Sequence, residues 1–214
     1  MIRRAARRLL QPTQISIAAR TSRTRVLLGA CGRLGMGVCI YIFCIYKGMT
    51  IVQAAGAKRY GVALAEDVGG MTGREVLQAI VEGRLPAPPI TATMSFELVE
   101  VGEGFAAFEG DPGPHLLNPL GTIHGGWALT LIDSAAGCAA HSLLPAGVGY
   151  ATVETKGNFS RPIMTETGRV RAEGRVVARG RQIVSAEVRV LDAEGRVLAH
   201  GTSTIILLGG AGKS

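Results

Sequence analysis

From about residue 93 onward, apolar and polar residues alternate along the chain, which is the pattern of β-strands with one buried face. Met94, Phe96 and Leu98 form the first apolar set, and a second short run over residues 105–109 follows a turn that contains two glycines. The alternation returns in four longer segments, at residues 149–160, 167–178, 183–191 and 196–208. We therefore predict two paired strands early in the domain and four strands at its end.

Two segments have helical patterns instead. Residues 126–140 are rich in Ala and Leu and apolar around the whole helical circumference, which predicts a buried helix. Residues 72–82 begin with Thr72 and carry Glu75 three positions later, the arrangement of a capping box, and their apolar side chains fall on one face. The proline-rich stretch 86–89 ends this element. We predict one long internal helix, preceded in the chain by one short amphipathic helix.

The order of these elements indicates the fold class. Two strands, a long buried helix and four further strands predict an α+β domain in which an antiparallel sheet of about six strands wraps round the helix. One helix is covered on all sides only if the sheet bends about it or a partner closes the other side. Residues 72–208 hold all of these elements. Residues 49–71, which are rich in Gly and Ala, are predicted to be a linker, and residues 209–214 a tail.

Charge and cysteine content set the first 48 residues apart. The net charge is +7, but residues 1–48 hold nine basic residues and no acidic one, which leaves 14 basic and 16 acidic residues beyond them. The positive charge therefore belongs to that segment and predicts no nucleic-acid partner for the domain. Cys138 is the only cysteine outside that segment, so neither a disulfide framework nor a cysteine metal site is available to the domain. A reducing, cytoplasmic location is the expectation.

Residues 26–46 are apolar apart from Arg33, and three interpretations of them stay open. Their uncharged part, residues 34–46, is 13 residues long, whereas a helix that crosses a bilayer needs about 20. The segment is compatible with a membrane anchor, with a cleaved or unstructured leader, and with a translation start assigned too early, since Met49 and Met71 both stand ahead of domain-like sequence. Membrane contact is expected only if residues 1–48 are translated and retained.

Asp133 does not fit its surroundings, because it is the only charged residue between Trp127 and Ala140 in the predicted buried helix. Burying an unpaired carboxylate is costly. Either Asp133 lies on a solvent-facing strip or accepts a structural hydrogen bond, or a ligand pocket meets the helix at this point. Gly137, one turn later, costs a helix about 1 kcal/mol relative to Ala, which indicates that another group approaches closely there.

A second group of residues stands at the start of the same helix. Asn118, Gly121 and His124 lead into the pair Gly125 and Gly126. The free backbone N–H groups of a helix N-terminus bind anions, and those of the glycines could hold the oxyanion that forms when a carbonyl is attacked. A glycine pair is also common in turns, and His124 is equally compatible with a capping or core histidine.

The spacing of the two groups constrains a shared mechanism. Gly125 and Asp133 are eight residues apart, which is about 12 Å along a helix at 1.5 Å per residue. They cannot flank the same carbonyl carbon. If both act on one substrate, Asp133 must come from a second copy of the helix across a two-fold axis, so we predict a homodimer with shared sites.

The spacing Asn118, Gly121, His124, Gly125, Gly126 and Asp133 resembles the signature of the hotdog-fold acyl-CoA thioesterases of the PaaI type. Relatives of that family include the 4-hydroxybenzoyl-CoA thioesterases. The resemblance covers about residues 72–208, including the strand end at 157–162 and the final strands at 192–204, and residues 1–48 have no counterpart. It implies a hotdog fold in which two protomers join their sheets into a homodimer, commonly paired again into a homotetramer.

The resemblance also implies hydrolysis of a coenzyme A thioester, with no cofactor apart from the coenzyme A of the substrate. By that resemblance Asp133 acts as nucleophile or general base, and Gly125 donates its N–H to the thioester carbonyl. His124 and Asn118 would orient the carbonyl and the attacking group. Some relatives carry Thr or Ser one turn beyond the carboxylate, at the place of Gly137, which leaves open the group that positions the water.

Further substrate contacts are expected close to these positions and at strand ends that the phosphates and pantetheine of coenzyme A could follow. The candidate residues are Gly126, Trp127, Ser134, Gly137, Asn158, Phe159, Arg161 and Arg181. The acyl group is expected to be aromatic or of medium chain length, and the sequence carries no metal, nucleoside triphosphate or dinucleotide motif. Two competing functions remain, a non-catalytic acyl-CoA-binding module and a hotdog dehydratase or hydratase.

Overall fold

The computed structural model describes residues 27–29, 41–43 and 58–209, and the chain divides into two compact units between residues 57 and 58. In the first unit, strand β1 (Leu27–Gly29) pairs antiparallel with strand β2 (Tyr41–Phe43). The rest of the apolar segment 26–46, the basic residues around it and the tail after residue 209 lie outside the described residues. Within the described part of the chain, no helix is both long and apolar enough to cross a bilayer.

The second unit is built from one antiparallel sheet and the helices that pack on it. Its elements are α1 (Ala65–Val68), α2 (Gly73–Val81), α3 (Pro89–Thr93), β3 (Phe96–Gly102), β4 (Phe105–Gly110), α4 (Gly125–His141), β5 (Gly149–Phe159), β6 (Val170–Arg179), β7 (Ile183–Leu191) and β8 (Val197–Leu208). The strand order is β3-β4-β6-β7-β8-β5, and all neighbouring strands are antiparallel. This confirms the predicted sheet of six strands, with β5 at one edge.

Helix α4 lies in the hollow of this sheet and contacts every one of its six strands. Its fully buried side chains are Trp127, Ala128, Leu131, Ile132, Ala135, Ala136, Ala139 and Ala140. A sheet can contact one helix with all of its strands only by bending around it. The architecture is therefore the predicted hotdog fold, and the short helix α2 precedes it in the chain as expected.

Local sequence explains the best-defined elements. In β7, Val184, Ala186 and Val188 are buried, and the residues between them are exposed. At the start of α2, the Thr72 hydroxyl accepts the N–H of Glu75 at 3.3 Å, and the Glu75 carboxylate accepts the N–H of Thr72 at 2.7 Å. These two bonds confirm the capping box and satisfy N–H groups that the helix itself leaves unpaired.

The residues before β3 contain two features that the sequence pattern did not predict. Ala87 exchanges backbone hydrogen bonds of 2.8 and 2.9 Å with Arg59 and Gly61, so the chain is attached to the domain from residue 59 onward. Pro89 begins helix α3, because its fixed backbone angle suits the first position of a helix. The first strand begins at Phe96 rather than near residue 93, since the preceding residues form α3 and a turn.

Gly174 on β6 allows α4 to lie against the sheet, because an added Cβ would lie only 2.4 Å from the backbone oxygen of Ala135. We expect Gly174→Ala to lower the free energy of unfolding by about 3 kcal/mol, since the helix must move away from the sheet. Chemical denaturation would measure this. The matched control is Gly149→Ala in β5, where the nearest atom is 3.7 Å from the added Cβ. Equal stability of both variants would contradict this packing.

Candidate active site

The loop that leads into α4 is organised by the side chain of Asn118. Its Nδ2 donates to the Thr122 hydroxyl at 2.7 Å, and its Oδ1 accepts the N–H groups of Leu120 at 2.9 Å and Thr122 at 3.3 Å. Gly121 has a φ of +81°, a conformation that costs glycine little, and it completes the turn. The amide of Asn118 is thus engaged within the loop, and it fixes the approach of the chain to the helix.

His124 caps α4 and decides which glycine N–H is available to a ligand. Its Nδ1 accepts the N–H of Gly126 at 2.9 Å, which places the hydrogen of the neutral ring on Nε2. The N–H of Gly125, the first residue of α4, has no hydrogen-bond partner among the described residues. Because the dipole of the helix makes this end electropositive, Gly125 is the better placed of the two glycines to bind a carbonyl oxygen.

A cleft of about 300 Å³ opens at this end of α4. The predicted site residues that line it are Asn118, His124, Gly125, Phe159 and Arg161. The Phe159 ring lies over Gly125, at 3.2 Å from the position of an added Cβ, and its residue is 56% exposed. Arg161 is held at the rim by a 2.7 Å hydrogen bond from its Nη1 to the carbonyl of Val197. The structure thus brings five of the predicted residues together around one opening.

Asp133 lies farther along α4, half-buried beside the edge strand β5. The hydroxyl of Thr155 donates to its Oδ1 at 2.9 Å. Within residues 58–209, no donor reaches its Oδ2. The two explanations offered for this carboxylate are therefore compatible, because it accepts one structural hydrogen bond and keeps one oxygen for another partner.

Strand β5 covers one row of α4 residues that are spaced four apart. The contacts, from the start of the helix, are Phe159 with Gly125, Gly157 with Leu129, Thr155 with Asp133 and Tyr150 with Gly137. Residues four apart lie on the same face of a helix. Gly125 and Asp133 therefore share the face beneath the edge strand, separated by about 12 Å along the helix axis. Within one protomer the two residues are therefore too far apart to contact the same carbonyl group.

The close approach expected at Gly137 is made by Tyr150. An added Cβ at Gly137 would lie 3.0 Å from a ring carbon of Tyr150 and 3.2 Å from its hydroxyl oxygen. Burial raises the pKa of this phenol, and it raises the pKa of the neighbouring Cys138 thiol to about 12, with the charge of Asp133 adding to both effects. Both groups stay protonated at neutral pH, so a phenol hydroxyl lies one helical turn beyond Asp133.

Two of the predicted substrate contacts face away from the cleft. Trp127 is 1% exposed, and its Nε1 donates to the carbonyl of Met94 at 2.7 Å, which makes it a core residue. Asn158 pairs with His200 on β8 and, since side chains alternate along a strand, lies on the face of β5 opposite to Phe159. Neither side chain can contact a ligand in the cleft of its own protomer.

Two others lie apart from the cleft at the start of α4. Arg181 is in the exposed turn between β6 and β7, near the far end of α4, because Arg179 in the same region donates to the carbonyl of Leu143 at 3.0 Å. Helix α4 is about 25 Å long at 1.5 Å per residue, so this turn is remote from Arg161. Ser134 is half-buried and projects about 100° round the helix from Asp133.

Three residues near Asp133 were not singled out from the sequence, namely Thr155, Ser203 and Tyr150. Their hydroxyl groups lie on strands, where threonine and tyrosine are common for reasons of packing alone. A signal was available only for Tyr150, because a glycine inside a helix indicates a close neighbour without identifying it. Thr155 and Ser203 become visible only through the strand register.

Metal-binding clusters and other clefts are the features that could indicate a different site in the rest of the domain. Within residues 58–209, no group of three or more His, Cys, Asp or Glu side chains could hold a metal ion. A larger open groove of about 530 Å³ lies between α2 and β3, and its lining includes Arg74, Glu75 and Val101. It contains none of the predicted site residues.

Comparison with known proteins finds a family model that is similar to part of this chain. The model of the thioesterase superfamily matches residues 120–199, which run from the loop before α4 into β8 and include both Gly125 and Asp133. No curated protein is significantly similar in sequence.

Solved structures are similar over most of the domain. A conserved protein from Pseudomonas aeruginosa is 28% identical, with a TM-score of 0.53, over 56% of this chain and 94% of that one. A single-residue variant of the phenylacetic acid degradation protein PaaI from Thermus thermophilus is 26% identical, with a TM-score of 0.50, over 55% and 97%. The E. coli PaaI protein, at 20% identity and a TM-score of 0.56 over 66% and 97%, shows the same fold.

Proposed function

We propose that the chain hydrolyses acyl-CoA thioesters to a free acid and coenzyme A. Residues 120–199 of this hotdog domain match the model of the thioesterase superfamily, which supports this function. The main observation behind this proposal is that a free backbone N–H and a carboxylate lie on one face of α4. The unpaired N–H of Gly125 is a donor for a developing oxyanion, and Asp133 offers one oxygen without a donor among the described residues. Thioester hydrolysis needs both an oxyanion donor and a base.

The active site is proposed to form between two copies of the chain, joined along β5. This strand is 11 residues long and stands at the edge of the sheet, where an unpaired row of backbone groups is available to another strand. Val153 and Phe159 on β5 are 62% and 56% exposed, which supports a covered edge. Two-fold pairing would set the two α4 helices antiparallel and bring Asp133 of one protomer opposite Gly125 of the other.

In the proposed reaction, the thioester carbonyl accepts the N–H of Gly125, with the Nε2–H of His124 beside it. Asp133 of the second protomer takes a proton from water through its Oδ2, and the water oxygen attacks the carbonyl carbon. The C=O electrons move to the oxygen, where the helix N-terminus stabilises the negative charge. When the carbonyl re-forms, the C–S bond breaks, and the thiolate of coenzyme A takes up the proton held by Asp133.

The residues around the cleft also suggest where the coenzyme A end and the acyl end of the substrate bind. Arg161 at the rim carries a positive charge that suits the phosphates of coenzyme A. Phe159 supplies an aromatic wall beside Gly125. We propose an aromatic or medium-chain acyl group, because an aromatic wall packs well against either.

Thiol release tests this proposal directly. The full-length chain would be incubated with a panel of aromatic and aliphatic acyl-CoA esters, and free thiol would be measured with a chromogenic disulfide. We expect turnover that depends on the acyl group and exceeds the enzyme-free rate by several orders of magnitude. Binding of the esters without thiol release would favour a non-catalytic binding module, and hydration of an enoyl-CoA without thiol release would favour a hydratase.

A further inference from the structure

A short chain of hydroxyl groups runs from Asp133 into the sheet. The Thr155 hydroxyl is 2.9 Å from Asp133 Oδ1 and 2.8 Å from the hydroxyl of Ser203, which in turn donates to the backbone carbonyl of Glu154 at 2.9 Å. Thr155 on β5 and Ser203 on β8 are direct partners in the strand register. Ser203 is 2% exposed, so its hydroxyl is enclosed by the domain. We refer to the linked hydroxyl groups of Thr155 and Ser203 as the hydroxyl relay.

A β-bulge in β5 brings Thr155 to this position. Tyr150 packs on α4, so regular alternation would place Thr152 and then Glu154 toward the helix. The register between β5 and β8 shifts between Thr152 and Glu154, and after the shift Thr155 faces Asp133. Bulges often redirect a side chain next to an active site. Here the bulge replaces a second carboxylate, which would repel Asp133, by a hydroxyl that donates to it.

The hydroxyl relay can form hydrogen bonds with Asp133 both when its carboxylate is ionised and when it is protonated. When the carboxylate is ionised, Thr155 donates to Oδ1, and Ser203 donates either to Thr155 or to the Glu154 carbonyl. When Oδ1 carries a proton, the first two bonds can reverse, so that Asp133 donates to Thr155 and Thr155 to Ser203, while Ser203 donates to the Glu154 carbonyl. Neither state leaves a polar group of the relay unpaired, which would otherwise be costly.

We propose that Thr155, held in turn by Ser203, is the positioning residue that fixes the carboxylate of Asp133 and leaves Oδ2 directed at the attacking water. This inference rests on the proposed thioesterase function. Thr155 touches neither substrate nor water and acts through Asp133 alone. Without the Thr155 hydroxyl, the carboxylate of Asp133 can rotate. Its Oδ2 then points at the attacking water less often, and hydrolysis slows.

The test compares kcat and KM of the full-length chain and its variants with the acyl-CoA that the parent hydrolyses best. We expect Thr155→Val to lower kcat by about 30-fold with KM within about twofold of the parent, because misplacing a base affects the transition state rather than binding. Thr155→Ser, which keeps the hydroxyl, should stay within about threefold of the parent, and Ser203→Ala should lower kcat by about fivefold. Thr202→Val is the matched control, since Thr202 is exposed on the opposite face of β8.

The Thr155→Val variant is expected to fold, because valine has the shape of threonine and Ser203 keeps its bond to the Glu154 carbonyl. Its affinity for a non-hydrolysable acyl-CoA thioether should equal that of the parent. Parental kcat in Thr155→Val, or equal losses in Thr155→Val and Thr155→Ser, would overturn the relay while leaving the thioesterase function intact. Absence of thiol release by the parent would overturn both proposals.

Discussion

Replacing Asp133 with Asn should lower kcat for thioester hydrolysis by about three orders of magnitude, which is the middle of the range for loss of a general base. Asn keeps an oxygen that can accept the hydrogen bond from Thr155, so the contact of α4 with β5 is retained. The amide nitrogen that replaces the second oxygen cannot take a proton from water. Thermal unfolding should therefore change little, while thiol release nearly stops.

Asp67→Asn provides the matched control for this substitution. Asp67 is an exposed aspartate in α1 that carries the same charge, and its loss should leave kcat unchanged. A binding assay with a non-hydrolysable acyl-CoA analogue separates chemistry from binding, and we expect the Asp133→Asn variant to bind like the parent. Turnover of Asp133→Asn at the parental rate would remove the carboxylate from the mechanism and with it the proposed base.

The sequence predicts most of the fold because local patterns and tertiary contacts agree. The alternation in β7, the capping box at Thr72 and the apolar circumference of α4 each have one simple structural solution, and the structure adopts it. Helix α3 escapes prediction because Pro89 is both a helix breaker and a favourable first helical residue. Five residues are too few for periodicity to decide between these roles.

The candidate site is less predictable, because side-chain direction depends on tertiary structure. The bulge before Glu154 reverses the facing of every later residue in β5, and it brings Thr155 to Asp133. No pattern in the sequence marks that irregularity. Trp127 illustrates a related difficulty, since its size and position beside the glycines indicate a ligand contact, whereas its ring lies in the core. Residue type identifies chemistry, but burial decides whether it is accessible.

We predict that each active site is shared between two protomers, because Gly125 and Asp133 lie too far apart on one helix. Mixing two inactive variants tests whether they complement each other. Gly125→Pro removes the backbone N–H that we assign to the oxyanion, and proline is well tolerated at the first position of a helix. The preceding residue, His124, already has a ψ of 131°, which is the conformation that proline favours in its neighbour. Gly125→Ala is the matched control, because it adds a Cβ near Phe159 and keeps the N–H.

Homodimers of Gly125→Pro and of Asp133→Asn should each be nearly inactive, because both of their sites lack one group. A mixed dimer has one site that combines the intact Gly125 of one protomer with the intact Asp133 of the other. With random exchange of equal amounts, half of the dimers are mixed and each holds one intact site, so activity should recover to about one quarter of the parental value.

The reverse experiment distinguishes sites formed between protomers from sites within one protomer. Here a chain that carries both substitutions is mixed with the parental chain. In the mixed dimers each site combines one parental and one altered group, so every mixed dimer is inactive. Parental activity should then fall to about half after exchange, since half of the parental chains become trapped in such dimers. Sites built within one protomer predict the opposite pair of results, with no recovery in the first mixture and no loss in the second. Differently tagged chains, purified on both tags, would isolate the mixed dimers for both measurements.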